Sequence, residues 1–180
     1  MNWQLEIAKL EFAFIAVDAI PDLACIALSE GMDSYSIRIL AGINKTDFDD
    51  IRKYLGKVAN ELQIKYPTRE ESAWILIRYY FEQIIGSHIE PHRGLHTIIW
   101  QIYNQTGWRN RDQKSVGDYI GIQNLYGLCD TYDDFLETFV SLDKQSSWDK
   151  SKTNRQILTE LDQSILAAVI EFKLNNPDKF

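Results

Sequence analysis

The feature that most constrains the fold is a stretch that is apolar on nearly every side of a helix. Thr68 and Glu71 stand at its start with the spacing of a capping box, which marks the beginning of a helix. Its apolar members are Trp74, Ile75, Leu76, Ile77, Tyr79, Tyr80, Phe81, Ile84 and Ile85, and its polar members are Arg78, Glu82 and Gln83. A helix of this kind is surrounded by other elements. We therefore predict a central helix over about residues 68–86, closed by Gly86.

Elsewhere in the chain, apolar residues recur every three or four positions, which is the spacing of one face of a helix. Capping residues, prolines and glycines divide this pattern into segments. The further predicted helices cover residues 3 to near 20, 21–31, 36–41, 46 to about 64, 91–106, 122–128, a segment after Thr131 that carries Phe135, Leu136, Phe139 and Val140, and about 154–175. Residues 107–121 have no sustained period and form the longest predicted loop. The sequence thus predicts an all-α, single-domain array of about eight helices over residues 1–180.

Composition limits the class of protein and its partners. The 180 residues are 45% hydrophobic, which suits one folded domain rather than a disordered chain. The net charge of −7 disfavours a nucleic-acid binder, because phosphate contacts need a basic face, and a basic or neutral protein partner is more natural. Cys25 and Cys129 are too few for a disulfide framework. Without a basic signal-peptide start or a run of roughly 20 apolar residues, the chain is predicted to be cytoplasmic and not in a membrane.

The three histidines, His88, His92 and His96, are four residues apart and would share one face of an unbroken helix. Pro91 prevents this, because proline belongs in the first helical turn and leaves His88 outside, with the other two as a helical pair. Arg93 stands where the HExxH motif needs its catalytic glutamate, so the metalloprotease interpretation fails. No further ligand presents itself at a ligand-like spacing. We assign no metal ligand and no cofactor, and we interpret these histidines as solvated or capping residues.

Two groups of carboxylates fall at predicted helix starts. They are Asp47, Asp49 and Asp50 in the first group, and Asp130, Asp133, Asp134 and Glu137 in the second. Such groups suit a divalent cation or an acid and base pair. Acidic residues are also favoured at helix N-termini by the helix dipole, so a structural role is the preferred interpretation. Neither group has the glycine and terminal glutamate of a calcium-binding loop.

Charged residues in two other places are further candidates for a binding site. Arg78 and Glu82 stand one turn apart on the central helix, where they form a structural ion pair or face a cleft. The segment with Trp108, Arg109 and Arg111 is basic within an acidic protein. It is either a contact site for a partner or an anion, or a solvated loop, and we prefer the solvated loop.

Two segments resemble strings that recur in a family of small bacterial all-helical proteins of unassigned function. Residues 27–42 contain G-x-D-S-x-S-I-R-x-L-A-G, and residues 86–100 are similar to G-x-I-x-P-x-x-G-x-x-x-I-W, with one residue more in two gaps. The matching elements are Gly31, Asp33, Ser34, Ser36, Arg38, Gly42, Gly86, Pro91, Gly94 and Trp100. Residues 61–64 followed by Pro67 also fit, so the resemblance covers roughly residues 20–105. The resemblance implies that the matching residues are turn formers, helix caps and a core tryptophan, and it implies no activity.

No Walker A loop, GxGxxG fingerprint or GxSxG elbow occurs in the sequence. Small size, acidity and aromatic content favour a non-enzymatic protein-binding module, of the immunity or antitoxin kind, because acidic surfaces speed encounters with basic partners. One alternative is a metal-binding or small-molecule-binding enzyme that uses His92, His96 and Glu82. The other alternative is a structural scaffold subunit.

Overall fold

The computed structural model describes residues 1–138 and 141–180 and is all-α, which confirms the predicted fold class. Eight α-helices and no β-strand occur within these two ranges. The helices are α1 (Trp3–Glu11), α2 (Ile20–Ser29), α3 (Tyr35–Gly42), α4 (Phe48–Glu61), α5 (Arg69–Ile85), α6 (Pro91–His96), α7 (Gln123–Thr138) and α8 (Asn154–Asn175). A π-helix, Thr97–Tyr103, continues α6 directly, and short 3-10 helices cover Val17–Ala19, Trp108–Arg111 and Pro177–Lys179. Phe139 and Val140, which the pattern places on a helix, lie outside the described residues.

The chain divides into two compact units, Met1–Leu76 and Ile77–Phe180, so α5 contributes residues to both. A single domain over the whole chain stays a prediction. The core of the first unit is formed by Trp3, Ile7, Ile20, Ala24, Ala27, Ile37, Leu40, Ile51, Leu55 and Val58. In the second unit, α6 packs against α7 and α8. None of the helices in residues 1–138 and 141–180 is long and apolar enough to cross a lipid bilayer.

Helix α5 has part of the burial that its apolar pattern predicts. Of the nine apolar residues in that pattern, Trp74, Leu76, Ile77, Phe81 and Ile84 are buried, whereas Ile75, Tyr79, Tyr80 and Ile85 are half-buried. The predicted capping box is present, because the backbone amide of Glu71 donates to Thr68 Oγ1 and the Glu71 carboxylate accepts from the Thr68 amide. The start of the helix is thus held by two reciprocal hydrogen bonds.

The capping glutamate gives α5 a dependence on pH. Hydrogen bonds from Lys65 and then from Thr68 lower the pKa of Glu71 from 4.5 to about 2. A lowered folded pKa contributes stability that is present above the unfolded value and is lost as the pH falls through the folded value. We expect the difference in unfolding free energy between the wild type and Glu71→Gln to be constant above pH 5 and to shrink between about pH 4.5 and 2. Denaturant titrations across that pH range measure this difference. A difference that stays constant down to pH 2 would contradict the stabilising role of the Glu71 carboxylate.

Four helices end in the same left-handed turn, and only one of the turns uses glycine. After α2, Gly31 has φ +82°, and the amide of Met32 bonds back to the carbonyl of Ala27. The corresponding residues after α1, α4 and α5 are Ala13, Gln63 and Ser87, with φ between 54° and 57°. In each turn the amide after the left-handed residue reaches a carbonyl five positions back, which is the Schellman pattern.

These turns correct two predicted helix ends. The first helix was predicted to reach the neighbourhood of residue 20, but it ends at Glu11 because Ala13 reverses the chain. Helix α5 was predicted to be closed by Gly86, whereas Ser87 carries the left-handed conformation. A Cβ on Gly86 would lie 2.7 Å from Nδ1 of His88, so this glycine is needed for close approach instead.

Helix α7 is one element where the sequence predicts two. Residues 122–128 and the segment after Thr131 were predicted as separate helices, but the structure runs without a break over Gln123–Thr138. Thr131 does not cap a helix, because its hydroxyl donates to the carbonyl of Gly127 one turn earlier. Hydroxyl side chains inside a helix often bond in this way, so a capping residue alone does not mark a start.

Candidate functional site

The start of α6 separates the three histidines as Pro91 predicts. Glu90 is extended and Pro91 occupies the first turn of α6, so His88 lies outside the helix in an exposed turn. His92 and His96 remain one turn apart, with ring centroids 5.7 Å from each other. Both side chains line a surface cavity of about 420 Å³, together with Glu90, Arg93, Thr97 and Gln101.

Contacts from two other helices fix the position of His92. Its Nε2 donates to Oδ1 of Asp133 on α7 at 2.8 Å, and its backbone amide donates to Asp162 on α8 at 3.3 Å. The imidazole also stacks on the ring of Tyr132, with 3.8 Å between centroids and an interplanar angle of 4°. The first and third contacts leave the side chain little rotational freedom, and the second holds the backbone of the same residue. His92 is therefore the best-positioned histidine of the chain.

Cys129 lies beside this histidine, one turn before Asp133 on the same face of α7. Its sulfur donates to Oδ2 of Asp133 over 3.8 Å, and its side chain is completely buried. One ligand atom from each of His92, Cys129 and Asp133 can be chosen so that all three lie within 4.8 Å of one another. The sequence interpretation did not identify Cys129 and Asp133 as neighbours of His92. The missed signal is the i, i+4 pair of a thiol and a carboxylate, which a helix places side by side.

The arrangement does not activate the thiol as a nucleophile. Burial, followed by the negative charges of Asp133 and Asp130, raises the pKa of Cys129 to about 12, so the thiol stays protonated at neutral pH. A catalytic cysteine needs a neighbouring base such as histidine. Here Asp133 stands between the thiol and His92, and both donate their hydrogen bonds to this carboxylate.

The carboxylates of α7 are not at a helix start, which overturns the structural explanation based on the sequence. Asp130 lies at the middle of the continuous α7, Asp134 and Glu137 lie in its second half, and all three are exposed. We call these three residues the acidic ridge. The helix dipole disfavours the negative charge of Glu137 in the last turn, and like charges three or four residues apart repel. Burial, then Asp134 and Asp133, raises the pKa of Asp130, which is the direction that this repulsion predicts.

Exposed aromatic surface lies near the ridge. Trp100 was predicted to be a core tryptophan, but it is 37% exposed and lies between His96 and Tyr126, with ring centroids 6.1 Å from each. The opposite correction applies to Trp108, which was assigned to a surface loop and is completely buried beside Tyr103. Trp100 is therefore presented to solvent, as is Trp148, which is 46% exposed and lies against Phe135 of α7.

The other charged residues that were candidates for a binding site have surroundings that the sequence did not predict. Glu82 pairs with Lys173 of α8 and not with Arg78, and both Glu82 and Arg78 are exposed. Of the two alternatives for Arg78 and Glu82, the ion pair within α5 is not formed. Arg111 donates to the hydroxyl of Tyr119 at 2.9 Å. Arg109 is close enough to Asp130 for its positive charge to lower the pKa of that carboxyl.

Most residues of the family-like strings have structural roles. Ser34 caps α3 by accepting from the amide of Ile37, and Arg38 forms an ion pair with Asp33. Ser36 donates from both its amide and its hydroxyl to the carboxylate of Glu61 at the end of α4. Gly42 is the last residue of α3, Pro91 begins α6, and Gly94 faces Ile84. These contacts hold helices together and do not indicate an activity.

Comparison with known proteins finds no matching family model, no matching curated protein and no matching solved structure.

Proposed function

We propose that the protein is a cytoplasmic, non-enzymatic protein-binding module of the immunity or antitoxin kind, and that a basic partner contacts the acidic ridge. The observation that carries this proposal is the row of like charges formed by Asp130, Asp134 and Glu137, which runs from the middle of α7 to its last turn. Negative charge is unfavourable there for the helix itself. Stability therefore does not account for the ridge, whereas recognition of a cationic surface does.

The surroundings of the ridge support a protein partner. The chain has a net charge of −7, which speeds encounters with a basic surface. Trp100 is 37% exposed, and tryptophan side chains often anchor protein interfaces. Within the described residues 1–138 and 141–180, no ion pair joins Asp130, Asp134 or Glu137 to a cation at 4.0 Å or less. The family resemblance, which stays a prediction, supports a bacterial source and adds no activity.

Neutralising the ridge tests the proposal through two effects of opposite sign. In the variant Asp130→Asn, Asp134→Asn, Glu137→Gln, we expect the free energy of unfolding to rise by up to about 1 kcal/mol, because like-charge pairs on a helix cost about 0.2 to 0.5 kcal/mol each. We expect binding of the partner to weaken at least tenfold. Chemical denaturation measures the first effect, and capture by the immobilised full-length chain from host extract followed by calorimetry measures the second.

A matched control removes three exposed carboxylates that are not part of the ridge. The variant Asp18→Asn, Glu171→Gln, Asp178→Asn has the same net charge as the ridge variant. Its affinity for the partner is expected to lie within about twofold of that of the wild type, because salt screens the long-range effect of net charge. Equal loss in both variants, or a captured partner without net positive charge, would contradict recognition by the ridge. A constitutive oligomer in light scattering with no stoichiometric partner would favour the scaffold alternative.

A further inference from the structure

We infer that His92, Cys129 and Asp133 form a binding site for a thiophilic divalent cation, with Zn²⁺ as its natural occupant. This site is independent of the proposed protein partner, because it does not use the residues of the acidic ridge. The inference rests on three ligand types from two helices that meet with their ligand atoms within 4.8 Å of one another.

The distances suit a tetrahedral cation after a small adjustment. Zn²⁺ lies about 2.0 to 2.3 Å from nitrogen, oxygen and sulfur ligands, which places neighbouring ligand atoms roughly 3.4 to 3.6 Å apart. In the structure, Nε2 of His92 lies 2.8 Å from Oδ1 of Asp133, and the Cys129 sulfur lies 3.8 Å from Oδ2. The three ligand atoms lie within 4.8 Å of one another, so movements of the side-chain ends by about 1 Å bring them to the required separations. A bound cation takes the place of the two hydrogen bonds to Asp133.

The charges of the three groups also match the cation. Binding of Zn²⁺ forms a metal–sulfur bond and releases the thiol proton of Cys129 to solvent, so the thiolate and the Asp133 carboxylate together carry −2. The proton on Nε2 of His92 passes to Nδ1 by exchange with solvent, so the neutral ring binds the cation through Nε2. With neutral His92, the occupied site has no net charge, which suits its partly buried position. A thiolate and an imidazole select zinc over magnesium and calcium, which prefer ligands that are all oxygen.

Neighbouring residues orient the ligands in the manner of established metal sites. Tyr132 stacks on the His92 ring, and Asp162 holds the backbone of the same residue. Such surrounding contacts fix ring orientation and increase affinity. The side chains of His92 and Asp133 are 16% and 30% exposed, so the cation can enter from solvent. Three protein ligands leave a fourth position for water or another small ligand, as in zinc sites that remain open.

Cobalt provides a direct test, because Co²⁺ bound to a thiolate has a charge-transfer absorption band. We expect the full-length chain, stripped with a chelator, to bind one Co²⁺ with this band and to release it on addition of one equivalent of Zn²⁺. Cys129→Ser is expected to lose the band and to bind Zn²⁺ at least about 100-fold more weakly, since loss of an outer-shell contact alone costs 10-fold to 100-fold. Zinc should raise the thermal midpoint of the wild type and not that of the variant.

Two matched controls use the other cysteine and the histidine outside α6. Cys25→Ser and His88→Gln are expected to keep the band and the zinc affinity of the wild type, because both side chains are exposed and neither is one of the three ligands. If Cys129→Ser does not fold, Asp133→Asn is compared with the same controls and should weaken zinc binding at least tenfold. Absence of the band in the wild type, or its loss in Cys25→Ser and retention in Cys129→Ser, would overturn the site.

Discussion

Replacing Asp112 with alanine is expected to lower the free energy of unfolding by about 3 kcal/mol. This carboxylate organises the segment after the π-helix, which was predicted to be the longest loop. It accepts hydrogen bonds from the hydroxyl of Tyr103, from the amide of Gly117 at 2.9 Å and from the amide of Tyr119 at 3.1 Å. Tyr103 is completely buried, so its hydroxyl would lose its acceptor away from water. Hydrogen bonds to a charged group contribute about 1.5 to 3 kcal/mol each and do not add fully.

The same segment offers a matched control for Asp112→Ala. Asp118 accepts from the amides of Gln113 and Lys114 at 3.0 and 2.6 Å, but these contacts are exposed. Asp118→Ala is therefore expected to cost no more than about 1 kcal/mol. Chemical denaturation of both variants measures the difference. Equal costs would show that the segment does not depend on the buried network.

Acid should reduce the stabilising effect of Asp112 in the wild type. Burial would raise the pKa of Asp112, but hydrogen bonds from Tyr103, Gly117 and Tyr119 outweigh it and hold this pKa below the usual 3.8. A lowered folded pKa means that the contribution is complete above the unfolded value and is lost as the pH falls through the folded value. The stability of Asp112→Ala should accordingly fall less than that of the wild type below about pH 4.

Replacing Gly94 with alanine is expected to cost about 2 kcal/mol, although alanine is the better helix former. A Cβ at this position in α6 would lie 2.6 and 2.7 Å from Cγ1 and Cδ1 of Ile84. Ile84 on α5 is only 1% exposed, so it cannot swing out into solvent. Adding a methyl group to a packed contact forces shifts that cost about 1 to 3 kcal/mol.

The identical substitution at Gly127 is the control. Gly127 lies within α7, and nothing is within 4 Å of a Cβ placed there. Gly127→Ala should therefore raise the free energy of unfolding by up to about 1 kcal/mol. The double variant Gly94→Ala, Ile84→Ala should cost at least about 0.5 kcal/mol less than the sum of the two single changes. Additive costs would contradict a direct contact between these residues.

The sequence predicts the elements that depend on local chemistry. The capping box of Thr68 and Glu71, the cap at Ser34 and the break at Pro91 each follow from hydrogen bonding or backbone geometry within a few residues. The apolar pattern likewise predicts the buried character of α5. These features need no knowledge of what lies across the fold.

The features that the sequence does not predict depend on unusual backbone or on distant contacts. Residues in the left-handed conformation are usually glycines, but here Ala13, Gln63 and Ser87 adopt it. The approach of His92 to Cys129 and Asp133 joins residues more than 30 positions apart. Such proximity follows only from the packing of α6 against α7.

The π-helix after α6 affects how this chain should be aligned with any relative. Burial in this region recurs in pairs every four residues, at 94 and 95, 98 and 99, and 102 and 103. Each π hydrogen bond encloses one residue more than an α hydrogen bond, and the bond from the amide of Asn104 to the carbonyl of Ile99 is of this kind. A relative with an ordinary α-helix here would need a one-residue gap within the helix. Without that gap, Trp100 would be matched with a residue about 100° away around the helix.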